Sequence, residues 1–173
     1  MKFLIVVDMQ NDFIDGVLGT KEAVAILSAV EAKIRSHAGR VIFTRDTHEE
    51  NYMDTQEGRK LPVPHCIRNT KGWELAPSLE ALRAEREALC IDKLTFGSKD
   101  LALQMAEEYA GKPVCFELIG VCTDICVISN AMLLKAFLPE ATVQVDAACC
   151  AGVTPASHNT ALAAMAACQI ELL

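Results

Sequence analysis

The feature that most constrains this chain is a regular alternation of short apolar runs with segments of helical period, several of the runs closing on a polar residue. The first run, Phe3-Leu4-Ile5-Val6-Val7, is rich in β-branched residues and closes on Asp8. A continuous apolar run of that length reads as a strand covered on both faces. Over residues 20–37, Ala23, Val24, Ile26, Leu27, Val30 and Ile34 recur at helical spacing, and Gly39 follows as a stop signal. Residues 41–44, 89–92, 114–119 and 142–145 read as further strands. Helices are expected over 100–109, 125–137 and 155–167, the last with Thr154 as its cap and Pro155 at its first position. Residues 169–172 read as a final edge strand.

Strands alternating with helices predict an α/β fold: three layers, with a mostly parallel sheet and helices on both faces. A chain of 173 residues is long enough for one domain with a sizeable core, so residues 1–173 are expected to form a single one. In such sheets chemistry gathers beyond the carboxyl ends of the strands. The first strand leads into Asp8 and not into a GxGxxG turn, so the phosphate cradle of a dinucleotide binder is missing. The segment 45–77 breaks the rhythm: it is polar, rich in turn residues and without clear periodicity. Loops that long inside a compact domain are usually functional or disordered, and its histidines, acids and Trp73 favour function.

Partners and compartment can be narrowed by composition. A net charge of -7 argues against nucleic acid and anionic membrane surfaces, which favour basic patches. No apolar run reaches the roughly 18 to 20 residues that span a bilayer. The opening run is too short for a signal-peptide core, so a cytoplasmic protein is expected. The eight cysteines form no paired CxxC pattern, and Cys115, Cys149 and Cys168 sit in apolar stretches as expected core residues. His37 and His158 carry no partner pattern and are expected on helix surfaces.

The chemistry-bearing residues fall at strand ends: Asp8 after the first, Arg45-Asp46 after the second, Asp92-Lys93 after the third. The fourth strand runs into Gly120-Val121-Cys122-Thr123-Asp124-Ile125-Cys126, immediately before a helix. A thiol at a helix start feels exposed N–H groups and the positive end of the helix dipole, which favour thiolate. A nearby lysine adds to this effect, and a carboxylate can shuttle the proton.

These motifs resemble the isochorismatase-like cysteine hydrolases, a family that includes nicotinamidases and N-carbamoyl amidases. Val7-Asp8-Met9-Gln10-Asn11-Asp12-Phe13 is similar to the motif that supplies its catalytic aspartate, and Asp92-Lys93 matches the position of its lysine. Gly120 to Val127 is similar to the nucleophile motif, with Cys126 in the nucleophile's place. The resemblance covers essentially the whole chain. It implies a Rossmann-like hydrolase fold with a catalytic trio of Asp8, Lys93 and Cys126. It also implies a cis Val121–Cys122 peptide and an oxyanion hole built from the amides of Cys122 and Cys126. Isochorismatase proper lacks the cysteine, so the presence of Cys126 favours the amidase branch.

The resemblance further implies a divalent metal, zinc first with iron or manganese as alternatives, held by Asp46, His48 and His65. Glu57 resembles the acidic form of the fourth ligand, with Glu49, Glu50 and Asp54 as competitors. A mixed imidazole and carboxylate set suits those ions. Phe13 resembles an aromatic that packs on a nicotinamide ring. The aromatic usual shortly before the loop histidine is replaced by Leu61, Pro62 and Val63, and Phe96 is a candidate replacement wall. The implied partner is a small amide, nicotinamide first. Alternatives are an N-carbamoyl or ureido amide, or a catalytically inactive metal-binding member. The family also implies a homo-oligomer, a dimer or tetramer.

Overall fold

A computed structural model describes residues 1–173. Six strands form one sheet: β1 (Lys2–Val7), β2 (Arg40–Asp46), β3 (Leu89–Lys93), β4 (Cys115–Val121), β5 (Thr142–Ala151) and β6 (Glu171–Leu172). Their order is β3-β2-β1-β4-β5-β6, and every pairing is parallel. The α/β expectation holds. All five strands read from the sequence before the last are present, and the short β6 takes the edge.

Alternation along β1 explains its apolar run. Phe3, Ile5 and Val7 enter one core layer with Phe116, Leu118 and Val143, beneath helices α5 (Lys99–Tyr109), α6 (Ile128–Phe137) and α7 (Pro155–Ala167). Leu4 and Val6 enter the other, with Val30 and Ile34 of α2 (Lys21–Ser36) and Leu79 and Leu82 of α4 (Pro77–Glu85). A strand between two helix layers has no polar face to show. Helix starts follow the expected chemistry: Thr20 accepts from Ala23 N–H at 3.0 Å, and Thr154 with Ser157 forms a capping box ahead of Pro155.

Four features depart from the sequence reading. Helix α4 carried no expectation, because Leu79 and Leu82 are its only buried residues and leave a weak periodic signal. The segment 45–77 holds a 3-10 turn at Tyr52–Asp54 and a short helix α3 (Gln56–Lys60). A further one-turn helix, α1 (Asn11–Ile14), follows β1. Strand β5 extends to Ala151 because its pairing with β4 shifts between Leu118 and Gly120, and the chain around Asp146-Ala147-Ala148 lacks β-branched residues to announce a strand.

Strand order reverses between β1 and β4, and the carboxyl ends of these two strands flank a crevice there. Gly120 permits the close approach: its φ is 115°, and a side chain there would run into the backbone of Val7. The segment after β4 is thereby laid beside Asp8. No helix is long and apolar enough to cross a membrane.

Candidate active site

Lys93, the last residue of β3, reaches across the strand ends. Its Nζ lies 2.7 Å from Oδ2 of Asp8 and 3.0 Å from Oδ1 of Asp46. The same nitrogen is 3.5 Å from Sγ of Cys126. All four side chains are buried. The other oxygen of Asp8 accepts from Thr44 Oγ at 2.7 Å. Asp8 itself sits at φ 49°, a left-handed conformation that few non-glycine residues adopt and that clusters at functional sites.

Burial sets the electrostatics. It opposes the charge on Lys93, but Asp8, Cys126 and Asp46 outweigh it and hold the ammonium. Burial pushes the Asp8 carboxyl above the ordinary range, against the pull of Lys93. It also pushes the Cys126 thiol well up, helped by the charge of Asp8. The sequence reading expected the helix start to favour thiolate. In the folded protein, desolvation and the charge of Asp8 act in the opposite direction.

Cys126 lies in a π-helical turn, Thr123–Val127, that leads into α6, a form that recurs at functional sites. The Val121–Cys122 peptide is cis. Cys122 and Cys126 line one cavity of about 530 Å³ together with Phe13, Phe96, Asp46 and His65.

The cavity wall carries the second cluster. Ligand atoms of Asp46, His48, Glu57 and His65 all lie within 4.8 Å of one another. His48 Nε2 is 3.1 Å from Asp46 Oδ2 and 3.6 Å from Glu57 Oε1. His65 Nε2 is 3.7 Å and 3.9 Å from the same two oxygens. Burial disfavours a charged His48, yet Asp46 and Glu57 outweigh it and raise its pKa. Buried His48 Nε2 meets Asp46 Oδ2 without hydrogen-bond geometry, and two carboxylates converge on two imidazoles. A nitrogen without a hydrogen bond and paired negative charge fit a divalent cation. His65 Nδ1 lies 2.8 Å from the Val63 carbonyl, the outer contact that typically orients a ligating imidazole. Of the four acids weighed for the last ligand, Glu57 is the one brought in, by α3; Glu49 pairs with Arg68.

Comparison with known proteins places this geometry. The isochorismatase domain matches residues 2–173. An isochorismatase family protein of Bacillus subtilis is 32% identical over 145 residues, 76% of each chain. The chain belongs to the isochorismatase family. Among solved members, the pyrazinamidase/nicotinamidase of Streptococcus mutans superposes with a TM-score of 0.85 at 26% identity, covering 100% of both chains. The pyrazinamidase of Pyrococcus horikoshii, solved in complex with zinc, gives 0.78 at 26% identity, covering 99% of this chain and 98% of that one.

Within this isochorismatase-family site, every candidate read from the sequence falls at one end of the sheet. Phe13 lines the cavity with its ring 5.5 Å from that of His65, and Phe96 lines it as well. Other expectations fail. His158 is no bare surface residue: its Nδ1 meets Thr123 Oγ at 2.8 Å, tying α7 to the nucleophile turn. His37 closes α2 half-buried, and burial lowers its pKa. Cys168 is exposed and Cys115 half-buried, because each lies at an element's end and not in the core; Cys149 is buried as expected. Trp73 lies outside the cavity, stacked 3.6 Å under the Arg45 guanidinium with its indole N–H donating to Thr47.

Two contributors carried no role in the sequence reading. Thr44 holds Asp8. Gln10 is fully buried, and its amide donates to the carbonyls of Asp46 and Trp73, each at 2.8 Å, while its oxygen accepts from Asp46 N–H at 2.7 Å. A buried glutamine two residues after a strand-end aspartate was the available signal, since a buried amide needs partners.

Proposed function

We propose that this amidohydrolase converts nicotinamide to nicotinate and ammonia through a thioester on Cys126. One observation carries the reading: Lys93 Nζ touches Asp8, Asp46 and Cys126 at once, joining a nucleophile and base to a metal-ligand cluster.

Asp8, its basicity raised by burial, takes the Cys126 proton as the sulfur attacks the amide carbon. The tetrahedral oxyanion is held by the backbone N–H groups of Cys122 and Cys126, worth on the order of 3 kcal/mol per donor. Collapse breaks the C–N bond, the proton passes from Asp8 to the leaving nitrogen, and ammonia departs. Water then gives a proton to Asp8 and attacks the thioester. The C–S bond breaks, the sulfur recovers the proton from Asp8, and the acid leaves. Lys93 stays charged throughout and balances Asp8 and the sulfur.

Asp46, His48, Glu57 and His65 would hold a divalent ion, zinc first. Bound there, such an ion would supply Lewis acidity for orienting a heteroaromatic substrate. Phe13 supplies an apolar face for the ring.

The test is ammonia release from nicotinamide by purified protein, beside Cys126→Ala and a chelator-treated sample. Release that disappears with Cys126→Ala and falls on chelation supports the reading. No release while Cys126 still reacts with iodoacetamide overturns the substrate and turns attention to carbamoyl and ureido amides.

A further inference from the structure

The cavity in front of Cys126 grades from buried to exposed. Val121 and Ala151 form a buried floor. Phe13 and Ile125 stand half-buried above it. At the rim, Leu61, Phe96 and Val153 leave 38%, 46% and 49% of their surface in water. These three come from separate segments: the end of α3, the turn after β3, and the turn between β5 and α7.

Single exposed apolar side chains are ordinary, but several converging on one opening mark a binding surface. Their common opening lies over the nucleophile. A cavity of about 530 Å³ falls in the range that encloses drug-sized ligands. One six-membered ring with its carboxamide fills only part of such a cavity. The lining also carries Thr20, and Gln56 and Lys60 of α3, with Lys60 directly preceding Leu61.

We propose that the preferred substrates are aryl carboxamides larger than a single ring, with a neutral apolar extension that covers Leu61, Phe96 and Val153. The proposal rests on the amide hydrolysis described above and uses the same bond changes. It adds the class of acyl group: a fused or alkyl-substituted heteroaromatic. Binding at the rim withdraws apolar surface of both protein and extension from water.

The test compares kcat/KM for ammonia release from nicotinamide and from quinoline-3-carboxamide, using metal-loaded enzyme. The second compound keeps the ring nitrogen and carboxamide in the same mutual placement and adds a fused benzo ring. A single methylene in an apolar pocket changes kcat/KM by roughly 10-fold or more, so quinoline-3-carboxamide is expected to lead by at least about tenfold. Val153→Ser should shrink that ratio several-fold. A ratio of one or below, with nicotinamide still turned over, overturns the proposal and leaves the nicotinamidase reading standing. Hydrolysis of neither compound overturns both. A lead that Val153→Ser leaves intact overturns the assignment of the extension to the rim.

Discussion

Asp46 and Lys93 join two centres through a single carboxylate. Oδ1 of Asp46 lies 3.0 Å from the Lys93 ammonium, and its Oδ2 lies 3.1 Å from His48 Nε2. Burial works against a charged Asp46, but His48 and Lys93 outweigh it and lower its pKa. The proposed metal-ligand cluster and the proposed catalytic trio therefore share one negative charge, and disturbing either should be felt by the other.

That sharing separates two substitutions. Asp46→Asn should weaken zinc binding and also slow alkylation or turnover at Cys126, because Lys93 loses a partner. Glu57→Gln, farther from Lys93, should lower zinc affinity by at least about tenfold while leaving iodoacetamide reactivity of the metal-free protein near wild type. Titration calorimetry with zinc and alkylation rates measured on the same preparations check the pair. Equal losses of Cys126 reactivity in both variants would contradict it.

Lys93 balances two buried carboxylates. Lys93→Met should leave Asp8 and Asp46 facing each other uncompensated and destabilise the protein by about 3–5 kcal/mol, with activity lost. Urea unfolding measures this. A stability within about 0.5 kcal/mol of wild type would show that the charges are relieved some other way.

The acid side of the pH profile belongs to Asp8. Its folded pKa is raised by burial, so kcat/KM should fall as pH drops through a value above the ordinary carboxylate figure of about 3.9. Thr44 donates to the carboxylate and holds that value down. Thr44→Val should therefore move the acid limb to higher pH. The stability signs oppose each other. Raised Asp8 contributes stability below about pH 3.9 that is lost as pH rises through its folded pKa. Lowered Asp46 contributes above about pH 3.9 and loses that contribution as pH falls. A limb shifted to lower pH in Thr44→Val would contradict the role given to Thr44.

Gln10 positions Asp46 through its backbone. Gln10→Leu strips partners from the Asp46 N–H, the Asp46 carbonyl and the Trp73 carbonyl. Each buried group left unpaired costs about 1–3 kcal/mol. Thermal unfolding should drop accordingly, and zinc affinity with it. A variant with a lowered midpoint but unchanged zinc affinity would confine Gln10 to a structural role.

Much of this site was legible before folding because its residues sit at strand ends. The runs closing on Asp8, on Arg45-Asp46 and on Asp92-Lys93 announce themselves by apolar composition, and parallel pairing brings those ends to one side of the sheet. The ligands in the segment 45–77 came from the family resemblance, since the segment has no periodicity of its own. Its local structure was hidden because α3 is five residues long and too short for a periodic signal. Helix α4 was missed for a related reason, having only Leu79 and Leu82 to mark its buried face. The upward shift at Cys126 runs against the helix-start effect, because a helix start is visible in sequence and the depth of burial is not. His158 and Thr123 meet between α7 and the nucleophile turn, a pairing between segments that no local pattern announces.

The central claim is a thioester on Cys126, and hydroxylamine trapping tests it most directly. Enzyme turning over nicotinamide in the presence of hydroxylamine should divert acyl groups from nicotinate to nicotinohydroxamate. That diversion should be absent in Cys126→Ala. Nicotinate formation without hydroxamate at saturating hydroxylamine, or turnover that survives in Cys126→Ala, would contradict the account.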